Sequence, residues 1–101
     1  MDFEMIHPDL LDLYVKNPEA MIIDLREPED YRKYHIRNAV NIPYSTLYKK
    51  HVFPEDMILV LYCERGSSSL SAAKMLTEQG YNVKTVVGGI HAYRGNMIER
   101  Y

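Results

Sequence analysis

The sequence predicts an α/β fold: one domain with a mainly parallel central sheet of about five strands, flanked by helices on both faces. Three observations predict it. Short apolar runs alternate with helix-like stretches along the chain. The strongest run, Met57-Ile58-Leu59-Val60-Leu61-Tyr62, is apolar throughout, so both of its faces need cover. Pro and Gly occur as scattered punctuation, with no linker, repeat or low-complexity tract, so residues 1–101 read as a single domain.

Each element has a local reason. Phe3 to Ile6 reads as a first short strand. Pro8 sits near the start of a helix with an apolar stripe at Leu10, Leu11, Leu13 and Tyr14, which Asn17-Pro18 ends. Ala20 to Asp24 is an apolar run closed by a carboxylate, the pattern of a buried parallel strand. Pro28 begins a short helix to Tyr34. Ala39 to Ile42 is a strand stopped by Pro43, and a helix is expected from Tyr44 to Lys50. After the strong strand, a helix runs from Ser69 to Gln79 with Leu70, Ala72, Ala73, Met75 and Leu76 on or near its inner side, and Gly80 closes it. Asn82 to Val87 is a strand, Gly88-Gly89 a tight turn, and Ile90 to Arg94 a short helix. Ligands of such sheets bind at the carboxyl ends of the strands, where Asp24, Cys63 and Gly88-Gly89 all fall.

Composition narrows the function classes. A net charge of −2 gives no support to a nucleic-acid partner or a membrane surface, which would need a basic excess. No segment reaches the roughly 18 consecutive apolar residues of a membrane span. The first residues carry acids where a secretion signal needs bases, and a lone cysteine makes no internal disulfide, so a reducing cytoplasm is the expected location. The tyrosines fit either a monomer or a weak homodimer.

The segment Cys63-Glu64-Arg65-Gly66-Ser67-Ser68 carries the chemistry this chain is expected to perform. A buried strand ends, the chain turns through small residues, and a helix begins. Successive N–H groups in such a turn form an anion-binding concavity, and the helix N-terminus adds unpaired donors and partial positive charge. A sulfur at the first position is favoured as thiolate, the form that acts as nucleophile. Arg65 adds a cation, Gly66 allows a backbone geometry other residues resist, and the serines offer small hydroxyls that can cap the helix. A lone cysteine closing a strand is often only a small hydrophobe. Here packing residues do not follow it; an anion cradle does.

In these residues the chain resembles the rhodanese, or sulfurtransferase, superfamily, and specifically its bacterial single-domain members. Three signatures occur in the family's order. Asp24-Leu25-Arg26-Glu27-Pro28-Glu29-Asp30-Tyr31, followed by His35-Ile36-Arg37-Asn38-Ala39-Val40-Asn41-Ile42-Pro43, is similar to its Asp-x-Arg, Gly-His-Ile and Asn-Ile-Pro stretch. The Cys63 loop after an apolar strand is the second, and Gly88-Gly89-Ile90-His91-Ala92-Tyr93 resembles its Gly-Gly-x-x-Ala-Trp ending. Tyr34, Asn38 and Tyr93 depart from the usual Gly, Gly and Trp; Asn tolerates left-handed backbone, so these put turn geometry in question rather than the fold.

The resemblance implies a sulfurtransferase. The Cys63 thiolate would take sulfane sulfur from a small anionic donor such as thiosulfate and pass it from a persulfide to a thiol or cyanide acceptor, with Arg65 recruiting the donor and Ser67 and Ser68 supporting the terminal sulfur. No metal or organic cofactor is implied. The same fold houses thiol phosphatases and arsenate reductases, whose longer loop puts Arg six residues after Cys; here that residue is Ser69. A persulfide relay or binding module serving partner proteins is the other alternative. Asp24 and Arg26 are candidates for the border of the site, although a mutual ion pair that holds the loops is the favoured reading. His35 is expected to be structural, His7, His51 and His91 to lie at the surface, and Lys49-Lys50 to form a solvated face.

Overall fold

The computed structural model describes residues 2–47 and 52–100. Lys49, Lys50 and His51 lie outside them, as does the end of the helix expected from Tyr44 to Lys50. The strands β1 (Glu4–Ile6), β2 (Ala20–Asp24), β4 (Val40–Asn41), β5 (Ile58–Tyr62) and β6 (Asn82–Val86) form one five-stranded sheet in the order β1-β6-β5-β2-β4. Every pairing in it is parallel, with Asp24 opposite Tyr62 at the carboxyl end of the β2–β5 pair. The helices are α1 (Leu11–Val15), α2 (Pro28–Lys33), α3 (Tyr44–Leu47) and α4 (Ser67–Glu78).

Strand alternation divides the core. On one face Ile22, Val60 and Tyr62 join Leu11 and Val15 of α1, with Tyr31 of α2 packed against them. On the other, Ile23, Leu59, Leu61 and Cys63 join Leu47 of α3 and Ala72, Ala73 and Leu76 of α4. Both faces of β2 and β5 are therefore covered, which is why these strands read as unbroken apolar runs. Among the described residues, no helix is long and apolar enough to cross a membrane.

Most expected boundaries shift by a residue or so, and four departures are larger. The first helix opens as a 3-10 turn, Pro8–Leu10, because Pro8 lacks an N–H and His7 Nδ1 accepts from the Asp9 N–H. Helix α4 begins at Ser67, not Ser69, because Gly66 takes φ 107° and completes the reversal by itself. The helix expected to Arg94 is a 3-10 turn, Ile90–Ala92, since Tyr93 is already extended at ψ 133°. A small antiparallel ribbon of β3 (His35–Ile36) and β7 (Ile98–Glu99) was not expected; two-residue strands carry too little pattern to be read locally.

Asn38 adopts φ 68°, the left-handed backbone that this substitution for Gly tolerates. The Tyr93 hydroxyl donates to Asp12 (2.6 Å) and accepts from the Met97 N–H (2.9 Å), which anchors the approach to β7. His35 is buried, its Nδ1 2.7 Å from the Tyr31 carbonyl and its ring stacked on Tyr31 at 3.8 Å, a structural position as expected. His7 and His91 are exposed.

Candidate active site

Strand β5 ends by delivering Cys63 to the floor of an open cavity of about 550 Å³. The residue is only 6% exposed, so the sulfur is reached through that cavity and not from the general surface. Its Sγ accepts the N–H of Gly66 at 3.0 Å and that of Ser69 at 3.4 Å. Both donors exist because the chain reverses here: the helix that follows has not yet supplied acceptors for its first N–H groups. The geometry suits a sulfur bearing negative charge, since charge-assisted hydrogen bonds are stronger than neutral ones.

Two supports fix the loop from behind. The Ser69 hydroxyl, fully buried, donates to the Gly66 carbonyl at 3.0 Å and accepts from Thr85 of β6 at 2.8 Å. The turn after β6 then binds the loop's carbonyls: Ile90 N–H donates to Cys63 O at 2.9 Å and His91 N–H to Glu64 O at 3.1 Å. Gly89 makes that approach possible. It has φ 64°, and a Cβ there would lie 2.5 Å from Cys63 O and 2.6 Å from Glu64 O.

Of the residues singled out in the sequence, Cys63, Glu64, Arg65, Ser67, Ser68 and Arg26 line the cavity. Gly66 contributes its N–H to the sulfur. Ser67 and Ser68 belong to the first turn of α4, and neither caps it; the cap is Gly66, without a side-chain hydrogen bond. Asp24 does not reach the cavity. Residues 24 and 62 point to the α1 face of the sheet, one position out of phase with Cys63, so Asp24 is fully buried away from the sulfur.

Asp24 is instead the centre of a buried polar network. It accepts from Arg26 through the backbone N–H (2.9 Å), Nε (3.1 Å to Oδ1) and Nη2 (2.9 Å to Oδ2), and from the Tyr62 hydroxyl at 2.7 Å. Burial works against the Arg26 cation, but the Asp24 carboxylate, with Tyr62 and Glu64, more than offsets it and holds the guanidinium well above its ordinary range. Burial and then the Asp24 charge push the Tyr62 hydroxyl upward as well, so it stays protonated and donates. Arg26 Nη2 also donates to the Tyr34 carbonyl at 2.5 Å, and Nη1 reaches Glu64 Oε1 at 3.5 Å. The two residues form the mutual ion pair of the favoured expectation, while Arg26 also lines the cavity.

Sequence reasoning missed Leu25, Glu27, Asp30, Tyr44 and Ser45 on the cavity wall and Thr85 behind the loop; Ser69, expected as a possible helix cap, supports the loop from behind. Thr85 carried a signal: it is a polar residue among the valines of a buried strand. The wall residues carried none beyond lying next to strand ends. Among the described residues, no group of three or more His, Cys, Asp or Glu is placed to hold a metal ion.

In this parallel α/β domain, the central strand β5 leads into a cysteine whose sulfur accepts two backbone N–H groups, an arrangement suited to thiol chemistry. The chain belongs to the rhodanese-like domain family, whose model matches residues 7–96. It is 34% identical over 85 residues to thiosulfate sulfurtransferase GlpE of Coxiella burnetii, covering 81% of this chain and 78% of that one. It is 33% identical over 85 residues to a probable molybdopterin-synthase adenylyltransferase of Pyropia yezoensis, but spans only 22% of that protein's length. The structure of a rhodanese-like domain protein from Staphylococcus aureus matches with a TM-score of 0.85 at 26% identity, over 98% of this chain and 99% of that one. At the family level these relationships support a sulfurtransferase.

Proposed function

We propose that this protein moves sulfane sulfur through a persulfide on Cys63. The observation that carries the reading is the Cys63 sulfur at the cavity floor, with the Gly66 and Ser69 N–H groups directed at it. The Cys63 thiolate attacks the outer sulfur of a donor such as thiosulfate. A bond forms between Sγ and that sulfur, the donor's S–S bond breaks, and sulfite leaves with the electron pair. An acceptor thiolate, or cyanide in an assay, then attacks the terminal sulfur and regenerates Cys63, so the two half-reactions give ping-pong kinetics.

Arg65, exposed on the rim, draws anionic donors toward the cavity, while Ser67 and Ser68 place polar groups beside the path of the incoming sulfur. A sulfur-relay protein is a natural alternative donor or acceptor, because the mouth is open. A reducing compartment such as the cytoplasm would keep the thiol free between turnovers. A phosphatase reading is disfavoured by Ser69: the position where that chemistry needs an arginine is buried and hydrogen-bonded to the loop itself.

The test is an intact mass after incubation with thiosulfate. One added sulfur, removed by cyanide and absent in Cys63→Ser, supports the reading. A folded protein that gains no sulfur from thiosulfate or from a protein persulfide overturns it.

A further inference from the structure

The sequence reading left Glu64 without a role beyond membership of the loop, and the geometry gives it one. Arg26 is the buried cation nearest the reacting sulfur's cavity, yet its nitrogens are committed. Nε and Nη2 bind Asp24, and Nη2 also binds the Tyr34 carbonyl. Only Nη1 turns toward the loop, and it is paired with Glu64 at 3.5 Å. Glu64 follows Cys63 directly, its carbonyl is pinned by the His91 N–H, and its side chain lines the same cavity as the sulfur. Glu27 and Asp30 lie on that wall too, Asp30 with Lys33 at 3.8 Å, so among the described residues Arg65 is the wall's other cation. The Arg26 side chain is 3% exposed, so a small dianion approaching Cys63 meets the half-exposed Glu64 carboxylate on the wall, with the buried guanidinium behind it.

We propose that Glu64 selects the sulfur donor by charge, its carboxylate on the cavity wall biasing Cys63 against dianions in favour of donors of lower negative charge. The inference rests on the sulfurtransferase reading and names the substrate class of that site. Two probes of nearly equal shape separate charge from chemistry: thiosulfate, a dianion, and the methanethiosulfonate ion CH3SO2S−, a monoanion with a methyl in place of one oxygen. Each delivers its outer sulfur to the Cys63 thiolate. The S–S bond breaks, and sulfite or methanesulfinate departs with the electron pair, leaving the same persulfide without any further oxidant or reductant.

Glu64 is 46% exposed at its side chain, so water screens it. For an assumed charge separation of about 6 Å and a water-like dielectric, Coulomb's law gives a factor of about ten for a dianion and about three for a monoanion. The experiment compares kcat/KM for both donors in wild type, Glu64→Gln and Glu64→Ala at low salt. The expected result is a rise of about tenfold for thiosulfate and about threefold for methanethiosulfonate in both variants, the gap closing near 1 M salt as screening becomes complete. Thermal melting of each variant shows that the comparison is between folded proteins. Equal changes for the two donors, or a fall for thiosulfate, overturn the selection by charge while leaving sulfur transfer intact. If neither donor loads wild-type Cys63, the sulfurtransferase reading fails and the selection falls with it.

Discussion

Asp24→Asn should unfold this protein far more readily than its conservative shape implies. The change keeps the side-chain volume but removes a charge that is fully buried and turns one acceptor oxygen into a donor. Asp24 accepts from Arg26 at 2.9 and 3.1 Å and from the Tyr62 hydroxyl at 2.7 Å, so the new amide faces donors on every side. The Arg26 side chain is 3% exposed and held as a cation, so its charge stays inside without a counter-ion of equal proximity. Breaking a buried pair in this way costs about 3–5 kcal/mol. Arg26 keeps the Tyr34 carbonyl and Glu64, which places the expected cost near the lower end, about 3 kcal/mol. Against a domain stability of about 5–15 kcal/mol that is a large fraction. With a urea m-value of roughly 1.5 kcal/mol/M, the midpoint should fall by about 2 M. Urea unfolding followed by far-ultraviolet circular dichroism measures it, and the double change Asp24→Leu with Arg26→Met should recover most of the loss, because apolar groups do not need the pairing. A midpoint shift below about 0.3 M at unchanged m would refute the assignment of this network as the brace of the loops.

The same network makes an alkaline prediction. Tyr62 is held above its ordinary value of 10.0 by burial and by Asp24, so at high pH the unfolded chain releases a proton that the folded chain retains. The Tyr62 contribution is therefore fully present below about pH 10 and is lost above it, by about 1.4 kcal/mol per pH unit; Tyr62→Phe should flatten that slope in urea titrations at pH 10 to 11.5, and an unchanged slope would count against it. At the site, Gly89→Ala places a methyl 2.5 Å from Cys63 O on a backbone of φ 64°. The loop must shift, so the rate of persulfide formation should fall by at least about tenfold while Cys63 still reacts with a small alkylating agent; a misplacement of about 1 Å is enough for such a loss.

Much of the fold was legible because burial writes itself into pattern. Strands β2 and β5 are covered on both sides, so each had to be apolar without interruption; β2 closes on Asp24, and the turn residues that follow Cys63 mark the end of β5. Helix α4 was legible in the same way, through an inner row of Ala72, Ala73 and Leu76. The ribbon of β3 and β7 was not, because a pairing between His35–Ile36 and Ile98–Glu99 is a property of two distant segments and of neither alone. The start of α4 was missed because three serines in a row are neutral between turn and helix; the decision fell to Gly66 and its positive φ.

By itself the sequence determined the order of the elements, the parallel sheet they build, and the loop from Cys63 to Ser68 at its carboxyl edge. It did so because periodicity and strand ends are local properties of a chain. Only the tertiary structure decided how the site's charges divide. Asp24 and Cys63 each lie at the end of a strand, yet the pleat sends them to opposite faces, so the carboxylate braces Arg26 inside the protein and the sulfur opens to the cavity. The contact between Arg26 and Glu64 joins residues 38 apart in sequence, and it exists only because β2 and β5 are neighbours in the sheet.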